Sequence, residues 1–383
     1  MKFTESKLLQ SLLNQPFFLF VISFILTLPF HYNFLPNIGQ FLRPFTESLN
    51  QNFVHTNDLY LHSDSAMMIT NTIGLLLLSI AISVLWAIIR LKKTDYIHFW
   101  LYRISAYYLS LTLLIYGCNK LFKYQFFFPE PNTLFTPLGQ LSPDILYWSS
   151  MGSSHSYSIF AGLIEILPAL LLLFGKTRML GALIALGVLI NVMMINIGFG
   201  IEVKTYTSFL ILLCIILIQP HFKRLYAFFI SNTTPLTADE KPSFSSIHFK
   251  KVQPIIQFIV ITFIFLEAFL PYFTTGQWNG DKIPKIYMHG AYIVEDNPID
   301  IERVFFHNDG YFITQNKSDH FSDYQMTWNQ DILTLTNYEN HSCQLSLFKK
   351  SKNTFQLTGL FFNEPIDWKL RQVELEQLAI FNN

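Results

Sequence analysis

Nine polar or charged residues lie within or beside apolar segments, and these are the side chains that could do chemistry: Arg103, Tyr116, Asn119, Lys120, Glu165, Asn191, Asn196, Glu202 and Lys204. A polar group costs free energy in hydrocarbon, so such residues usually face a bundle interior or a water-filled cavity. Carboxylates in that setting can relay protons or bind a ligand. The nine residues are therefore the candidate intramembrane polar site.

Glu165 is the strongest single candidate. It lies about ten residues from one end of its apolar segment, which places it roughly 15 Å deep, near the bilayer midplane. One interpretation is a proton-relay or ligand-binding carboxylate, and the other is a structural ion pair or a carboxyl hydrogen-bonded between helices. Lys120 could approach it from the outer side and Arg103 from the opposite side. Glu267, in the last apolar segment, is expected near the outer boundary, within reach of lipid headgroups.

The composition indicates a membrane protein. Hydrophobic residues make up 51% of the 383 residues and charged residues 14%, whereas a soluble domain carries about 25% charged residues. The formal net charge is +0, so no nucleic-acid partner is predicted. The three cysteines, Cys118, Cys214 and Cys343, form no CxxC pair, and neither a disulfide framework nor a thiol redox motif is predicted.

Seven apolar segments are candidates for membrane-spanning helices, each of which needs about 20 mostly apolar residues: 16–35, 66–90, 97–122, 156–175, 179–200, 204–220 and 253–273. The first resembles a signal peptide, but no small-residue cleavage site follows it, so we expect it to be retained. Lysines and arginines concentrate in alternate loops, which predicts a cytoplasmic N-terminus and an extracytoplasmic C-terminus. We expect a multi-pass protein of the bacterial cytoplasmic (inner) membrane.

Two predicted outer loops carry distinctive residues. In the connection 123–155, Ser142 followed by Pro143 predicts a short helix, which either lies over the bundle or belongs to a plain interfacial loop. The loop 36–65 holds residue types that bind metals, but their spacing matches no ligand pattern and no metal site is predicted: His55, Asp58, His62 and Asp64. Within the spans, small residues predict close helix contacts: Ala161, Gly162, Gly181, Ala182, Ala185 and Gly187.

The composition changes after the last apolar segment. Eight short runs, several of them alternating apolar and polar residues, predict an antiparallel up-and-down barrel or curved sheet: 286–295, 301–307, 311–315, 324–328, 332–336, 344–348, 354–360 and 367–374. Such a barrel is either solid or holds one small ligand. The predicted fold class is an α-helical integral membrane bundle of about seven transmembrane helices plus a C-terminal all-β antiparallel barrel-like domain. Its predicted parts are an N-terminal two-helix membrane region with an outer loop, a four-helix core, a cytoplasmic loop with the last transmembrane helix, and an extracytoplasmic β domain: 1–95, 96–230, 231–275 and 276–383.

Residues 97–230 resemble the DoxX family of small bacterial membrane proteins. The resemblance rests on an ordered series of motifs: 100–103 (WLYR), 116–120 (YGCNK), 137–143 (PLGQLSP), 148–152 (WSSMG), 157–165 (YSIFAGLIE), 172–177 (LLFGKT), 180–183 (LGAL), Asn191, Asn196, Lys204 and 220–225 (PHFKRL). The sequence departs from the family pattern at 200–204, where Glu202 lies nearer the lysine. The resemblance implies a four-helix membrane core, and it implies an association with thiosulfate:quinone oxidoreductases or thiol-redox partners. The C-terminal region resembles the lipocalin-like barrel of longer DoxX-like proteins.

Three functions follow as hypotheses. The first is a quinone-linked membrane subunit of an oxidoreductase system, in which Lys120, Glu165 and Asn196 contact the quinone carbonyls. The sequence contains no haem-ligand pair, flavin fingerprint or iron–sulfur cysteine run, so no intrinsic cofactor is predicted and electrons would come from a membrane or extracytoplasmic redox partner. The alternative is a non-enzymatic membrane-anchored envelope protein whose outer β domain binds a ligand or partner. A small-molecule transporter is third.

Overall fold

The computed structural model describes residues 2–27, 64–88, 94–231, 247–295 and 300–381. The chain divides into two compact units. The first consists of Met1–Phe122 and Ile159–Trp278, and the second consists of Lys123–Ser158 and Asn279–Asn383. Residues 123–158, which the predicted core 96–230 includes, thus group with the C-terminal strands.

Ten α-helices occur within the described ranges and are numbered in chain order: α1 (Lys2–Thr27), α2 (Ala66–Ile88), α3 (Thr94–Leu121), α4 (Pro131–Phe135), α5 (Pro143–Ser153), α6 (His155–Leu173), α7 (Arg178–Gly198), α8 (Lys204–Ile218), α9 (Phe222–Phe229) and α10 (Ile247–Thr275). The long helices coincide with the predicted spans. A long apolar segment forms a helix in a membrane because a helix satisfies its backbone hydrogen bonds internally.

Five helical segments among the described residues are long and apolar enough to cross a membrane: Ala66–Trp86, His155–Leu173, Arg178–Gly198, Lys204–Phe229 and Val252–Lys282. Two further predicted spans also form helices. In α1 the apolar part is the shorter Gln15–Thr27, and residues 28–35 lie outside the described residues. In α3 the charged Arg103 and Lys120 interrupt the apolar run. The predicted helical membrane part is confirmed, with a count of spans that is approximate.

Glycines allow a close helix contact in the first unit. A Cβ atom built on Gly117 of α3 would lie 2.9 Å from the carbonyl oxygen of Gly162 in α6, and one on Gly162 would lie 2.6 Å from the oxygen of Gly117. The backbones of α3 and α6 therefore touch, as small residues allow in membranes. The same expectation is wrong for Gly187, because a Cβ there meets nothing within 4 Å.

The second unit is built around eight strands: β1 (Gly290–Glu295), β2 (Ile301–His307), β3 (Tyr311–Asn316), β4 (Phe321–Asn329), β5 (Ile332–Thr336), β6 (Ser342–Lys349), β7 (Thr354–Phe361) and β8 (Glu364–Gln372). Each strand pairs antiparallel with the next, and β8 pairs with β1, which closes the barrel. The predicted antiparallel up-and-down barrel is confirmed. The bounds of β2 and β5 are those expected from the sequence. Apolar and polar residues alternate along β5, as they do in a strand with one buried face.

Side chains fill the interior of the barrel. Along β8, Ile366, Trp368 and Leu370 are buried while the residues between them are exposed, as the two-residue period of a strand requires. Trp368 and Phe306 belong to one cluster of buried apolar side chains drawn from all eight strands. Of the two kinds of barrel predicted, this one has a packed core.

Residues 123–158 pack within the second unit through charged contacts. The Nζ atom of Lys123 is buried, donates a hydrogen bond to the carbonyl oxygen of Gly152 and lies 3.2 Å from Oδ2 of Asp281. The other oxygen of Asp281 accepts a hydrogen bond of 2.7 Å from the backbone N–H of Phe128. These contacts join the segment to the residues that precede β1.

The helix predicted from Ser142 is confirmed as α5. Pro143 is its first residue, and Ser142 takes the N-cap position in an extended conformation, although its side chain makes no capping hydrogen bond. Proline suits this position because it has no backbone N–H to leave unpaired there. That α5 lies over the membrane helices stays a prediction.

Candidate functional site

Lys120 and Glu165 form a buried ion pair between α3 and α6. The Nζ atom of Lys120 lies 2.7 Å from Oε2 of Glu165, and the exposed fractions of the two side chains are 11% and 5%. The positions lie within the glycine contact, which runs from Gly117 beside Ile166 to Leu121 beside Gly162. The close backbones thus bring the two charges together.

This pair satisfies both buried charges, and it is the structural alternative considered for Glu165. The Nζ atom of Lys120 also lies 5.5 Å from the centre of the Tyr116 ring, at which distance a cation is attracted to the aromatic face. An ion pair removed from solvent stabilises only when its geometry offsets the cost of desolvation. The geometry here is that of a strut between two helices.

Two amide side chains of the candidate site, those of Asn119 and Asn196, each form a hydrogen bond with a neighbouring helix. The side chain of Asn119 accepts a hydrogen bond of 2.5 Å from the hydroxyl of Tyr272 on α10. The Asn196 amide on α7 donates one of 3.0 Å to the hydroxyl of Thr207 on α8. Both bonds lie between helices, so these residues join helices in pairs and do not converge on the Lys120–Glu165 pair.

Three expectations about side-chain placement are wrong. Asn191 and Glu202 are exposed, whereas Glu165 is buried. Glu267, which was expected to reach headgroups, is buried with an exposed fraction of 2%. Distance along a span gives the depth of a residue but not the face of the helix on which it lies. The nine candidate residues therefore do not form one site.

Asp64 has a role that its sequence context did not indicate. Its carboxylate accepts hydrogen bonds from the backbone N–H groups of Lys204 (2.8 Å) and Thr205 (2.7 Å) at the start of α8, and it lies 3.1 Å from Nζ of Lys204. Burial raises the pKa of Asp64, but the hydrogen bonds from the backbone and side chains of Thr205 and Lys204 together outweigh burial and lower the pKa from its ordinary value of 3.8. Asp64 thus satisfies backbone donors that a helix leaves unpaired at its first turn.

Of the four candidate metal ligands in the loop 36–65, the structure describes Asp64. His55, Asp58 and His62 lie outside the described residues. The carboxylate of Asp64 accepts a hydrogen bond from the first residue of α8. Among the residues that are described, no group of three or more His, Cys, Asp and Glu side chains is placed to hold a metal ion.

A cavity of about 280 Å³ lies between α1, α3 and α10. Its wall is almost entirely apolar, with rings from Trp100, Tyr107, Tyr108 and Phe263, and Arg103 also contributes to it. The guanidinium of Arg103 lies 4.5 Å from the centre of the Phe99 ring. Arg103 therefore belongs to this cavity, whereas Lys120 is the cation beside Glu165.

Tyr107, which lines this cavity, also carries a buried hydroxyl group. Its hydroxyl oxygen is buried and has no hydrogen-bond partner among the residues that the structure describes. The guanidinium of Arg178, whose Nε donates to the carbonyl oxygen of Leu172, lies 5.4 Å from the centre of the Tyr107 ring. A buried hydroxyl without a partner costs about 1–3 kcal/mol. The run 100–108 (WLYRISAYY), rich in aromatic residues around one arginine, is the signal that could have identified it.

Comparison with known proteins finds a relative of part of this chain. No family model and no solved structure matches the chain. The uncharacterized protein YwoB of Bacillus subtilis (strain 168) is 32% identical to it over 120 residues, which cover 29% of this chain and 70% of that protein. The chain belongs to the same family as this Bacillus subtilis protein.

Proposed function

We propose that the chain is a DoxX-like, quinone-linked membrane subunit of an oxidoreductase system. In this proposal it lies in the bacterial cytoplasmic (inner) membrane with its N-terminus in the cytoplasm and its β domain outside. The helical membrane part and the distribution of lysine and arginine support this arrangement. Electrons would reach the quinone from a membrane or extracytoplasmic redox partner.

The aromatic cavity between α1, α3 and α10 carries the proposal. At about 280 Å³ it is at the small end of ligand pockets, which suits one ring with part of an apolar tail. Aromatic walls match the planar face of such a ring. A quinone carbonyl is a hydrogen-bond acceptor, and the buried hydroxyl of Tyr107 is a donor without a partner among the described residues.

The residues that line the cavity would have different roles in quinone binding. Tyr107 would donate a hydrogen bond to a carbonyl oxygen, Arg103 would supply positive charge, and Trp100 and Phe263 would enclose the ring. Lys120 and Glu165, first assigned to the quinone carbonyls, are paired with each other. Their part in the proposal is to hold α3, which carries both Tyr107 and Arg103.

Quinone retention by the full chain tests the proposal. The protein is purified into nanodiscs that contain menaquinone or ubiquinone, and bound quinone is extracted and measured. Val260→Trp fills the cavity, whereas Ile259→Trp on the same helix adds the same ring at an exposed position. We expect Val260→Trp to reduce retained quinone at least ten-fold and Ile259→Trp to leave it unchanged.

Two results would count against the proposal. Equal retention by the Val260→Trp and Ile259→Trp proteins would show that the cavity does not bind quinone. Retention of phospholipid in place of quinone, lost in Val260→Trp, would show that the cavity holds a structural lipid.

A further inference from the structure

Two arginines lie beside the same tyrosine in the first unit. The guanidinium carbon of Arg178, the first residue of α7, is 5.4 Å from the centre of the Tyr107 ring. Arg103 lines the cavity together with Tyr107, and the positive charge of Arg178 is close enough to act on the charge of Arg103. Two like charges repel each other, so their convergence on one tyrosine calls for a negative charge nearby.

Among the residues that the structure describes, no carboxylate is paired with Arg103 or Arg178. Arg178 is buried, with an exposed fraction of 5%. Its Nε atom donates a hydrogen bond of 3.0 Å to the carbonyl oxygen of Leu172, and its two Nη groups form no hydrogen bond with a described residue. The rings of Tyr102 and Tyr107 attract this guanidinium but carry no net negative charge to neutralise it. A buried charge is ordinarily paired.

Tyr107 adds a neutral donor to the two cations. Its hydroxyl oxygen is buried and has no hydrogen-bond partner among the described residues. The planar fork of an arginine matches the oxygens of a phosphate group, which can accept two parallel hydrogen bonds from it. Two guanidiniums also match the charge of a phosphate monoester, about −1.5 to −2 at pH 7, better than the single charge of a carboxylate.

The two arginines lie close to helix ends. Leu172, which accepts the bond from Arg178, is in the last turn of α6, and Arg178 begins α7. The hydroxyl of Tyr102, the residue before Arg103, lies 3.3 Å from Nε2 of His221, which follows α8. Water and lipid headgroups meet a membrane protein at the ends of its helices, so a phosphate group can approach here.

We propose that Arg103, Arg178 and the hydroxyl of Tyr107 bind the phosphate group of a phosphate monoester or of inorganic phosphate. A lipid headgroup such as that of phosphatidic acid and the free ion present the same oxygens. The inference does not rest on quinone binding, because the two guanidiniums carry it. A tyrosine hydroxyl has one proton to donate, so a phosphate group and a quinone would compete for Tyr107.

Thermal unfolding of the full chain tests the inference. The protein is purified in neutral detergent without quinone or phosphate, and inorganic phosphate, phosphatidic acid, phosphatidylglycerol or phosphatidylcholine is added at constant ionic strength. A ligand that binds the folded protein raises the unfolding midpoint with its concentration. We expect phosphatidic acid to raise it, phosphatidylglycerol to raise it less and phosphatidylcholine to leave it unchanged. A rise with inorganic phosphate as well would assign the site to the phosphate group alone, and no rise with it would assign the site to a lipid headgroup.

Variants assign the effect to the two arginines and the tyrosine. Arg103→Gln and Arg178→Gln should each raise the dissociation constant by about ten-fold or more, the usual effect of losing a hydrogen bond to a charged group. Arg178→Lys keeps the charge but loses the planar fork, so its dissociation constant should be intermediate. Tyr107→Phe should raise the constant by about two- to ten-fold. Lys176→Gln, which removes an exposed positive charge from the turn before α7, is the matched control and should leave it unchanged.

Two outcomes would overturn the inference. One is an unfolding midpoint of the unchanged protein that responds to neither inorganic phosphate nor phosphatidic acid, a measurement that needs no variant to fold. The other is an Arg103→Gln protein that binds phosphatidic acid as tightly as the Lys176→Gln protein does. Neither result bears on quinone retention, because the assay contains no quinone.

Discussion

The Nζ atom of Lys120 lies 2.7 Å from Oε2 of Glu165, and both side chains are buried where α3 and α6 touch. Removing either side chain breaks this ion pair at a buried position. We expect Glu165→Gln or Lys120→Met alone to lower the free energy of unfolding by about 3–5 kcal/mol, and the double variant to recover most of that loss.

A double-mutant cycle in detergent measures this coupling. Lys176→Met, at an exposed turn, serves as the control for removing a lysine. Strictly additive losses from Glu165→Gln and Lys120→Met would show that the pair does not act as a strut.

The glycine contact beside this pair gives a second prediction. Because a Cβ on Gly117 or Gly162 would lie within 3 Å of backbone atoms across the contact, Gly117→Ala and Gly162→Ala should each lower the free energy of unfolding by about 1–3 kcal/mol. The control is Gly187→Ala, where a Cβ meets open space. Thermal unfolding in detergent checks the three variants, and equal behaviour of all three would contradict a close contact of α3 with α6.

The sequence predicts the strands of the barrel better than it predicts which face of a membrane helix a residue occupies. The strands of the barrel follow from local alternation, as the burial of Ile366, Trp368 and Leu370 illustrates. The faces of the membrane helices do not follow from depth. Asn191 and Asn196 both lie in α7, but five residues turn a helix by about 140° beyond one full turn, so one is exposed and the other buried.

Contacts between distant segments were the least predictable feature. Asp64 and Lys204 are 140 positions apart, and their meeting depends on how the intervening helices are arranged. The same is true of Lys123 with Asp281. Each residue taken alone is an ordinary charged residue beside an apolar segment, so no local pattern distinguishes it.

The bonds from Asp64 to α8 predict a specific loss at acid pH. The pKa of Asp64 is lower in the folded protein than its ordinary value of 3.8. Its contribution is therefore complete above that value and is lost as the pH falls through the folded pKa. Asp64→Asn keeps one acceptor oxygen and loses the other, so it should lower the free energy of unfolding at neutral pH by about 0.5–1.5 kcal/mol, the usual net worth of one hydrogen bond.

Thermal unfolding of the two proteins from neutral pH to about pH 3 checks this sign. The difference in stability between the unchanged protein and Asp64→Asn should narrow at the acid end. A difference that stays constant over the whole range would mean that the carboxylate charge does not matter at α8.

Replacing Tyr107 by phenylalanine should affect protein stability and quinone binding in opposite directions. Its buried hydroxyl has no partner among the described residues, so Tyr107→Phe should leave the stability of the quinone-free protein unchanged or raise it by about 1–3 kcal/mol. If the hydroxyl donates to a quinone carbonyl, the same change should weaken quinone binding by about two- to ten-fold. Tyr226→Phe, at an exposed ring, controls for loss of a hydroxyl, and tighter binding by Tyr107→Phe would exclude the proposed donor.

Glu130 predicts a pH-dependent contact within the second unit. Its Oε2 atom lies 2.8 Å from Nε2 of His289 and accepts a hydrogen bond of 3.3 Å from the backbone N–H of Asn308. Burial raises the pKa of Glu130, but the hydrogen bond from His289 and the positive charge near it outweigh burial and lower the pKa below its ordinary value of 4.5. The stability that this contact contributes is present above pH 4.5 and is lost as the pH falls through the folded pKa.

Glu130→Gln should therefore destabilise the second unit at neutral pH by about 1.5–3 kcal/mol, the usual worth of hydrogen bonds to a charged group. Hydrogen exchange of the full chain checks it, because α4 follows Glu130 directly and should lose protection in the variant. Glu364→Gln, an exposed glutamate on β8, should leave protection unchanged. In the unchanged protein, protection of α4 should fall at acid pH, and in Glu130→Gln that dependence should be weaker. A variant with the same acid profile as the unchanged protein would show that some other group than Glu130 controls this contact.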